Sequence, residues 1–168
     1  EYLNHIPFAD HGALLDPPTA DVTARCVGML AQLDAEKYTS EITRGVEYLK
    51  ADQEENGSWF GRWGTNYVYG TWSVLCALNA AGEDMNAPYI RTAVDWLKAQ
   101  QGEDGGWGED GSTYWEETKE VVKASTASQT SWAILGLMAA GEADSESVER
   151  GVKFLIESPR NGSTWEEP

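Results

Sequence analysis

Two acidic residues flank a pair of prolines near the start of the chain. Asp16 and Asp21 stand on either side of Pro17 and Pro18. Two carboxyl groups held close together shift each other's pKa, and such pairs serve in acid chemistry. The same residues also fit a structural interpretation, in which Asp16 forms the turn before the prolines and Asp21 caps a helix. The spacing alone leaves both interpretations open.

A second group of candidate residues is aromatic. Trp63 and Tyr69 lie in the stretch QEENGSWFGRWGTNYVYG, beyond the part of it that recurs elsewhere. Aromatic faces attract cations and pack against apolar molecules, so a pocket that they line suits a greasy substrate or a cation. The chain has eight Trp and seven Tyr in 168 residues, which predicts tight helix packing, an apolar pocket or both.

A short motif of the form Gln-x-x-x-Gly-x-Trp recurs along the chain. Its residues are Gln53, Gly57 and Trp59, then Gln101, Gly105 and Trp107, and in an altered copy Trp165, with Pro159 in place of the glutamine. The first two copies are 48 residues apart. A glutamine side chain can satisfy free backbone groups at a helix end, and glycine permits a left-handed turn. We therefore expect these residues to be structural.

Helical periodicity and capping residues predict the elements that position these side chains. The expected helices cover about 21–33, 39–52, 67–82, 88–100, 126–141 and 145–157. On the first helix, the predicted buried face consists of Val22, Cys26, Met29, Leu30 and Leu33. Cys26 and Cys76 both fall in apolar helical segments, which predicts small buried side chains and not a disulfide framework.

The order helix, helix, Gln–Trp loop repeats three times, at about 21–59, 67–107 and 126–165. One helical hairpin cannot bury its apolar face alone, so the three must stack. Hairpins stacked in a ring form an α/α barrel, and a closed ring usually takes about six of them. We predict that residues 1–168 form an all-α domain, part of such a barrel, although a linear stack has the same period. When the three repeats are aligned, Asp21, Tyr69 and Ser128 occupy equivalent positions at helix starts. If these helices form the inner ring, the three residues face the same mouth of the barrel.

Composition limits the classes of partner. The net charge of −16 argues against nucleic acid and against binding anionic lipid through charge alone. His5 and His11 fall in an irregular lead-in without other ligands at metal-binding spacing, so no metal site is predicted. The sequence does not begin with Met, and we expect it to be a piece of a longer protein.

The motifs resemble those of squalene–hopene cyclases. The stretch QEENGSWFGRWGTNYVYGTW is similar to the cyclase form of the Gln–Trp motif, and DPPTADVTAR resembles the segment just ahead of it. QGEDGGWGED resembles the next Gln–Trp motif, and the residues AST, SQT and WA between 124 and 133 resemble the helix that follows. The resemblance runs from about Pro7 to Pro168.

The resemblance implies a reaction without metal or cofactor. Squalene or a similar linear triterpene is protonated at a terminal double bond, and cations then pass through a cascade of ring closures. The proton donor of the family lies in a D-x-D-D motif, which this sequence lacks. We therefore expect the chain to need the remainder of the cyclase as its partner and to be inactive alone. The resemblance also implies a bacterial cytoplasmic location, with peripheral or monotopic membrane association of the full-length protein.

The resemblance also assigns roles to individual residues. Asp16 and Asp21 match acidic positions in the polar surroundings of the catalytic acid. Arg25 matches a position that hydrogen-bonds that acid. Trp63 and Tyr69 match cavity aromatics that stabilise cations.

Two other classes remain open. A prenyltransferase β-subunit is also an α/α barrel, but it needs a zinc set of Asp, Cys and His. A non-catalytic helical scaffold could bind lipid or protein through its open face. The open face of half a barrel would be a large apolar patch, which would also favour a homodimer.

Overall fold

The computed structural model describes residues 17–115, 117, 124–158 and 160–167. Within these ranges the helices are α1 (Ala20–Asp34), α2 (Thr39–Ala51), α3 (Tyr67–Ala80), α4 (Pro88–Ala99), α5 (Ala127–Ala139) and α6 (Glu146–Glu157). A 3₁₀ turn spans Gly111–Tyr114, and a small antiparallel pair joins β1 (Arg160–Asn161) to β2 (Thr164–Trp165). The all-α class is confirmed, and every predicted helix occurs. Asp16 and Pro159 lie outside the described residues.

The odd-numbered helices form the inner layer, with α3 packed between α1 and α5. Small residues let their backbones approach closely. A Cβ placed on Gly136 of α5 would lie 3.2 Å from the Cα of Trp72 on α3, and one on Gly28 of α1 would lie 3.7 Å from Ala77. Because α3 is covered by helices on both sides, it is apolar around most of its circumference, as a buried helix must be.

The even-numbered helices are amphipathic and lie outside this layer. α2 buries Ile42, Val46 and Leu49, the face that its sequence period predicts. Gly45 lets α2 approach α1, since a Cβ there would lie 2.3 Å from a methyl group of Val27. Each outer helix therefore forms a hairpin with the inner helix before it, and the loops that lead to the next hairpin carry the Gln–Trp motifs.

The predicted buried face of α1 is wrong for most of its residues. Val22, Met29 and Leu33 are 45%, 52% and 66% exposed, and Cys26 is exposed as well. The residues that α1 buries are smaller or more polar, namely Ala20, Asp21, Ala24 and Val27. The physical reason is that α2 and α3 cover one side of α1, whereas its more apolar side meets no other described helix. Apolar periodicity identifies an apolar face but not what covers it.

Cys76 departs from the prediction less than Cys26 does. It is half-buried on α3, and burial raises the pKa of its thiol.

Among the described residues, no helix is both long enough and apolar enough to cross a lipid bilayer.

Candidate active site

The Gln–Trp loops connect one hairpin to the next. The side-chain amide of Gln53 donates to a carbonyl in its own loop at 2.8 Å and to the Tyr89 carbonyl on α4 at 2.9 Å. Gln101 repeats the pattern, with 2.8 Å to its own loop and 2.8 Å to the Ser147 carbonyl on α6. The motif glycines of these two loops have φ values of 94° and 87°, which favour glycine. Each glutamine thus ties its loop to the first turn of the next outer helix.

The motif tryptophans close the end of the preceding outer helix. The indole N–H donates to a carbonyl in the last turn of that helix, at 2.7 Å for both Trp59 and Trp107 and at 2.9 Å for Trp165. This bond satisfies a carbonyl that has no partner within the helix. Trp59 and Trp107 are fully buried, whereas Trp165 is 38% exposed.

Asp21 is a fully buried carboxylate at the start of α1. Its Oδ1 accepts from the Thr19 hydroxyl at 2.6 Å and from the Val22 N–H at 3.0 Å. Its Oδ2 accepts from the backbone N–H of Trp63 at 2.9 Å. The side chain therefore ties the start of α1 to the loop that carries Trp63. This geometry gives Asp21 a structural task and holds it beside the predicted cavity residues.

Arg25 lies one turn further along α1 and turns towards aromatic rings. Its guanidinium carbon lies 5.0 Å from the ring centre of Trp72 and 5.9 Å from that of Tyr69. These distances fall within the range of cation–π attraction. Within the described part of the chain, no ion pair joins Arg25 to Asp21.

Three aromatic rings from α3 and α5 form a cluster beneath Arg25. Trp72 and Trp132 stack at 5.7 Å with an interplanar angle of 10°. Tyr69 lies 5.8 Å from Trp72 and 5.3 Å from Trp132. Trp72 and Trp132 were not predicted to be site residues. The spacing of Tyr69 and Trp72, three residues apart on one helix, was a signal that could have identified Trp72.

Trp63 differs from the rings of this cluster because its side chain is 44% exposed. The Arg62 guanidinium lies over its ring at 5.7 Å. The loop around it packs on Tyr69 instead, since a Cβ on Gly61 or Gly64 would lie 2.5 Å from the Tyr69 ring. The Tyr69 ring thus packs against the backbone at these two glycines.

Glu109, from the second Gln–Trp loop, anchors the start of α3. Its carboxylate accepts from the N–H groups of Asn66 at 2.7 Å, Val68 at 2.8 Å and Tyr67 at 3.2 Å. A carboxylate is favourable at the positive end of a helix dipole. Gln129 on α5 donates to the Glu109 carbonyl at 3.0 Å. The helix turn that presents Tyr69 is therefore fixed by the neighbouring hairpin, an arrangement that sequence reasoning did not predict.

A groove of about 610 Å³ runs between α1 and α3 beside the aromatic cluster. Its lining includes Arg25, Met29, Leu33, Trp72 and Cys76. The lining also includes the polar Gln32 and Ser73. The apolar side chains and the Trp72 ring suit an apolar ligand, and aromatic faces attract cations, whereas the charge of the Arg25 guanidinium repels them. No group of three or more metal-binding side chains occurs among the residues that the structure describes.

Comparison with known proteins adds a family. A family model described as the squalene–hopene cyclase C-terminal domain matches residues 1–168. The squalene–hopene cyclase of Bradyrhizobium diazoefficiens is 58% identical over 99% of this chain and 26% of that protein. That of Alicyclobacillus acidocaldarius is 50% identical over 98% of this chain and again 26% of the relative. The chain thus spans about a quarter of the length of these relatives.

A solved structure supports the architecture. The ent-copalyl diphosphate synthase from Streptomyces platensis matches 89% of this chain and 29% of its own, with a TM-score of 0.68 and 24% identity. At that identity the likeness concerns the fold alone. It agrees with the prediction of helical hairpins that form part of an α/α barrel.

Proposed function

The chain belongs to the squalene–hopene cyclase C-terminal domain family, and we propose that it lines part of a cavity in which a linear triterpene such as squalene is cyclised. The observation that carries the proposal is the cluster of Tyr69, Trp72 and Trp132 beside a groove with a partly apolar lining. Aromatic faces stabilise a passing positive charge without offering a base that would quench it. This is what a cascade of carbocations requires of a cavity wall.

We propose separate roles for the residues at the start of α1. Asp21 holds the Trp63 loop against α1 through the bonds described above, and Arg25 presents a fixed positive charge beside the groove. A cation near a carboxyl group alters its pKa, so Arg25 is suited to tune an acid supplied by another part of the cyclase. Asp16 belongs to the same polar shell in this proposal.

Grafting tests the function directly. We expect a chimaera, in which this chain replaces the matching quarter of the B. diazoefficiens enzyme, to form hopene from squalene. The background control carries Asn in place of the central Asp of the host's D-x-D-D motif. The isolated chain should give no product, because it lacks that motif. A chimaera that melts cooperatively but yields no more hopene than the control would contradict the proposal.

We further propose that the exposed apolar side of α1 is the surface that meets the remainder of the cyclase. Val22, Met29 and Leu33 are exposed on this side of α1. A homodimer through this face is the other outcome, and it would favour the scaffold interpretation. Sedimentation of the isolated chain and of its Met29→Lys variant distinguishes them. Dimers that Met29→Lys abolishes would show that the face binds a second copy.

The proposed location is the bacterial cytoplasm, with peripheral or monotopic membrane contact made by the full-length protein. Flotation of the chimaera and of the isolated chain with phosphatidylcholine vesicles tests this. We expect the chimaera to float with the vesicles and the isolated chain to stay behind, since the acidic chain offers little attraction to a bilayer surface.

A further inference from the structure

We propose that Trp72, backed by Trp132, is a positioning residue that holds the Arg25 guanidinium in place beside the groove. This inference rests on the proposed function, because it deepens the role given there to Arg25. Trp72 itself is not required to touch substrate. Its task is to hold the guanidinium in one position, so that the electrostatic field of Arg25 in the cavity has a fixed origin and direction.

The first argument is the order of the stack. The Arg25 guanidinium carbon lies 5.0 Å from the centre of the Trp72 ring, and Trp132 lies 5.7 Å from Trp72 with an interplanar angle of 10°. The three groups therefore come from three neighbouring inner helices, α1, α3 and α5. A planar guanidinium is suited to aromatic faces, and a charge that turns towards a ring is held there electrostatically.

The second argument concerns the rigidity of the ring. Tyr69 contacts both indoles, at 5.8 Å to Trp72 and 5.3 Å to Trp132, and is itself only 9% exposed. The Trp72 backbone lies against Gly136, where an added Cβ would be 3.2 Å away. With one ring face stacked and its backbone tightly packed, Trp72 has little freedom to follow Arg25. The Trp72 ring therefore restrains the Arg25 side chain, and motion of Arg25 does not displace the ring.

The third argument is that no carboxylate among the described residues pairs with Arg25, and that its other ring contact, with Tyr69, is longer at 5.9 Å. The nearest carboxylate on its own helix, Asp21, already accepts bonds from Thr19, Val22 and Trp63. Arg25 is otherwise exposed, and long exposed side chains sample many rotamers. Without the Trp72 ring, the guanidinium would keep only the longer contact with Tyr69 and would sample more positions outside the groove.

A double-mutant cycle in the chimaera tests the inference. Trp72→Leu removes the π-face, Trp72→Phe retains one, and Arg25→Met removes the charge but keeps an apolar chain. We expect Trp72→Leu to lower kcat by about 3- to 30-fold with little change in KM, from the usual strength of a cation–π contact. Trp72→Phe should recover most of the loss. In the Arg25→Met background, Trp72→Leu should lower kcat no further.

Trp96→Leu is the matched control, since Trp96 is 7% exposed and packs against Tyr67, away from Arg25. Its effect on kcat should be the same with Arg25 or Met at position 25. If Trp72→Leu is equally independent of Arg25, Trp72 acts by packing or by touching substrate, and the inference is wrong.

A readout without catalysis separates this inference from the proposed function. We expect the melting temperatures of the same variants to be non-additive for the Arg25 and Trp72 pair and additive for Arg25 and Trp96. Additive melting temperatures for both pairs would overturn the contact, whatever the activity. An inactive chimaera with a coupled Arg25 and Trp72 pair would reject the proposed function but retain the positioning contact.

Discussion

The second and third Gln–Trp loops have the same indole contact but differ in burial. Trp107 and Trp165 each donate to a carbonyl in the last turn of the preceding helix, at 2.7 and 2.9 Å. Trp107 is fully buried, whereas Trp165 is 38% exposed. The second loop is also tied to α6 through Gln101, and the sequence has Pro159 at the matching position of the third.

The comparison separates two tasks that one motif performs. The indole bond is made within a hairpin, and it is present in both loops. Burial of the ring and the glutamine bridge are made between hairpins, and they occur where α6 packs beside the loop. A Gln–Trp motif therefore closes its own hairpin with the tryptophan and joins the next one with the glutamine. Most of its stabilising effect should come from the junction.

The largest expected effect is on the buried tryptophan. We expect Trp107→Ala to lower the free energy of unfolding by about 3–5 kcal/mol, because it leaves a cavity in the core. Trp165→Ala should cost about 1–2 kcal/mol, since part of its ring is already in water. Urea denaturation of the two variants measures both values. Equal losses would show that the indole bond and not burial dominates, and the division of tasks would be wrong.

Glycines in the second and third loops offer a smaller comparison, although Gly162 stands three residues before its tryptophan and Gly105 two. Gly105 has φ of 87°, and a Cβ there would lie 2.8 Å from the Arg150 carbonyl oxygen on α6. Gly162 in the third loop has φ of 66° and no neighbour within 4 Å. We expect Gly105→Ala to cost about 2–3 kcal/mol, from backbone strain plus the clash with α6. Gly162→Ala should cost about 1 kcal/mol, from the strain alone. A loss at Gly162 as large as that at Gly105 would remove α6 from the explanation.

The contrast between local and inter-hairpin contacts also explains what sequence could predict. The helices, their order and the repeat follow from local periodicity and from identical spacing, so they were accessible. The Gln53 bonds to its own loop and to Tyr89 continue a structural role that residue types indicate. What a helix face meets is not local, and for that reason the exposed side of α1, with Val22 and Met29, was taken for the core.

The candidate site divides in the same way. Asp21 and Tyr69 are identified through the repeat alignment and the resemblance, and the structure places each in the first turn of its helix. Trp132 joins Tyr69 only because α5 packs on α3, and no spacing within one helix carries that information. The anchoring of α3 by Glu109 was missed for the same reason, since 41 to 43 residues separate the partners.

The smallest expected effect concerns charge at the junction. Glu142, in the turn between α5 and α6, pairs with Lys98 and Arg91 of α4. The hydrogen bond from Lys98, and to a smaller extent that from Arg91, lowers the pKa of its carboxyl below the usual glutamate value. Glu157 pairs with Lys153 within α6 only, at 4.0 Å on the surface. A carboxyl whose pKa is lowered on folding stabilises the protein above its unfolded pKa, and loses that effect as pH falls through the folded value.

We therefore expect Glu142→Gln to lower the free energy of unfolding by about 0.5–1 kcal/mol at pH 7, and Glu157→Gln to change it by less than about 0.3 kcal/mol. The difference between the two variants should shrink as the pH falls from the usual glutamate pKa through the lower pKa of folded Glu142, because the wild-type side chain then also becomes protonated. Urea titrations at each pH supply the values. A Glu142→Gln loss that is independent of pH would mean that the amide disrupts packing, and that charge plays no part in joining α4 to the last hairpin. The same loss at Glu157 would mean that contacts within and between hairpins are equivalent for charge, although they differ for burial.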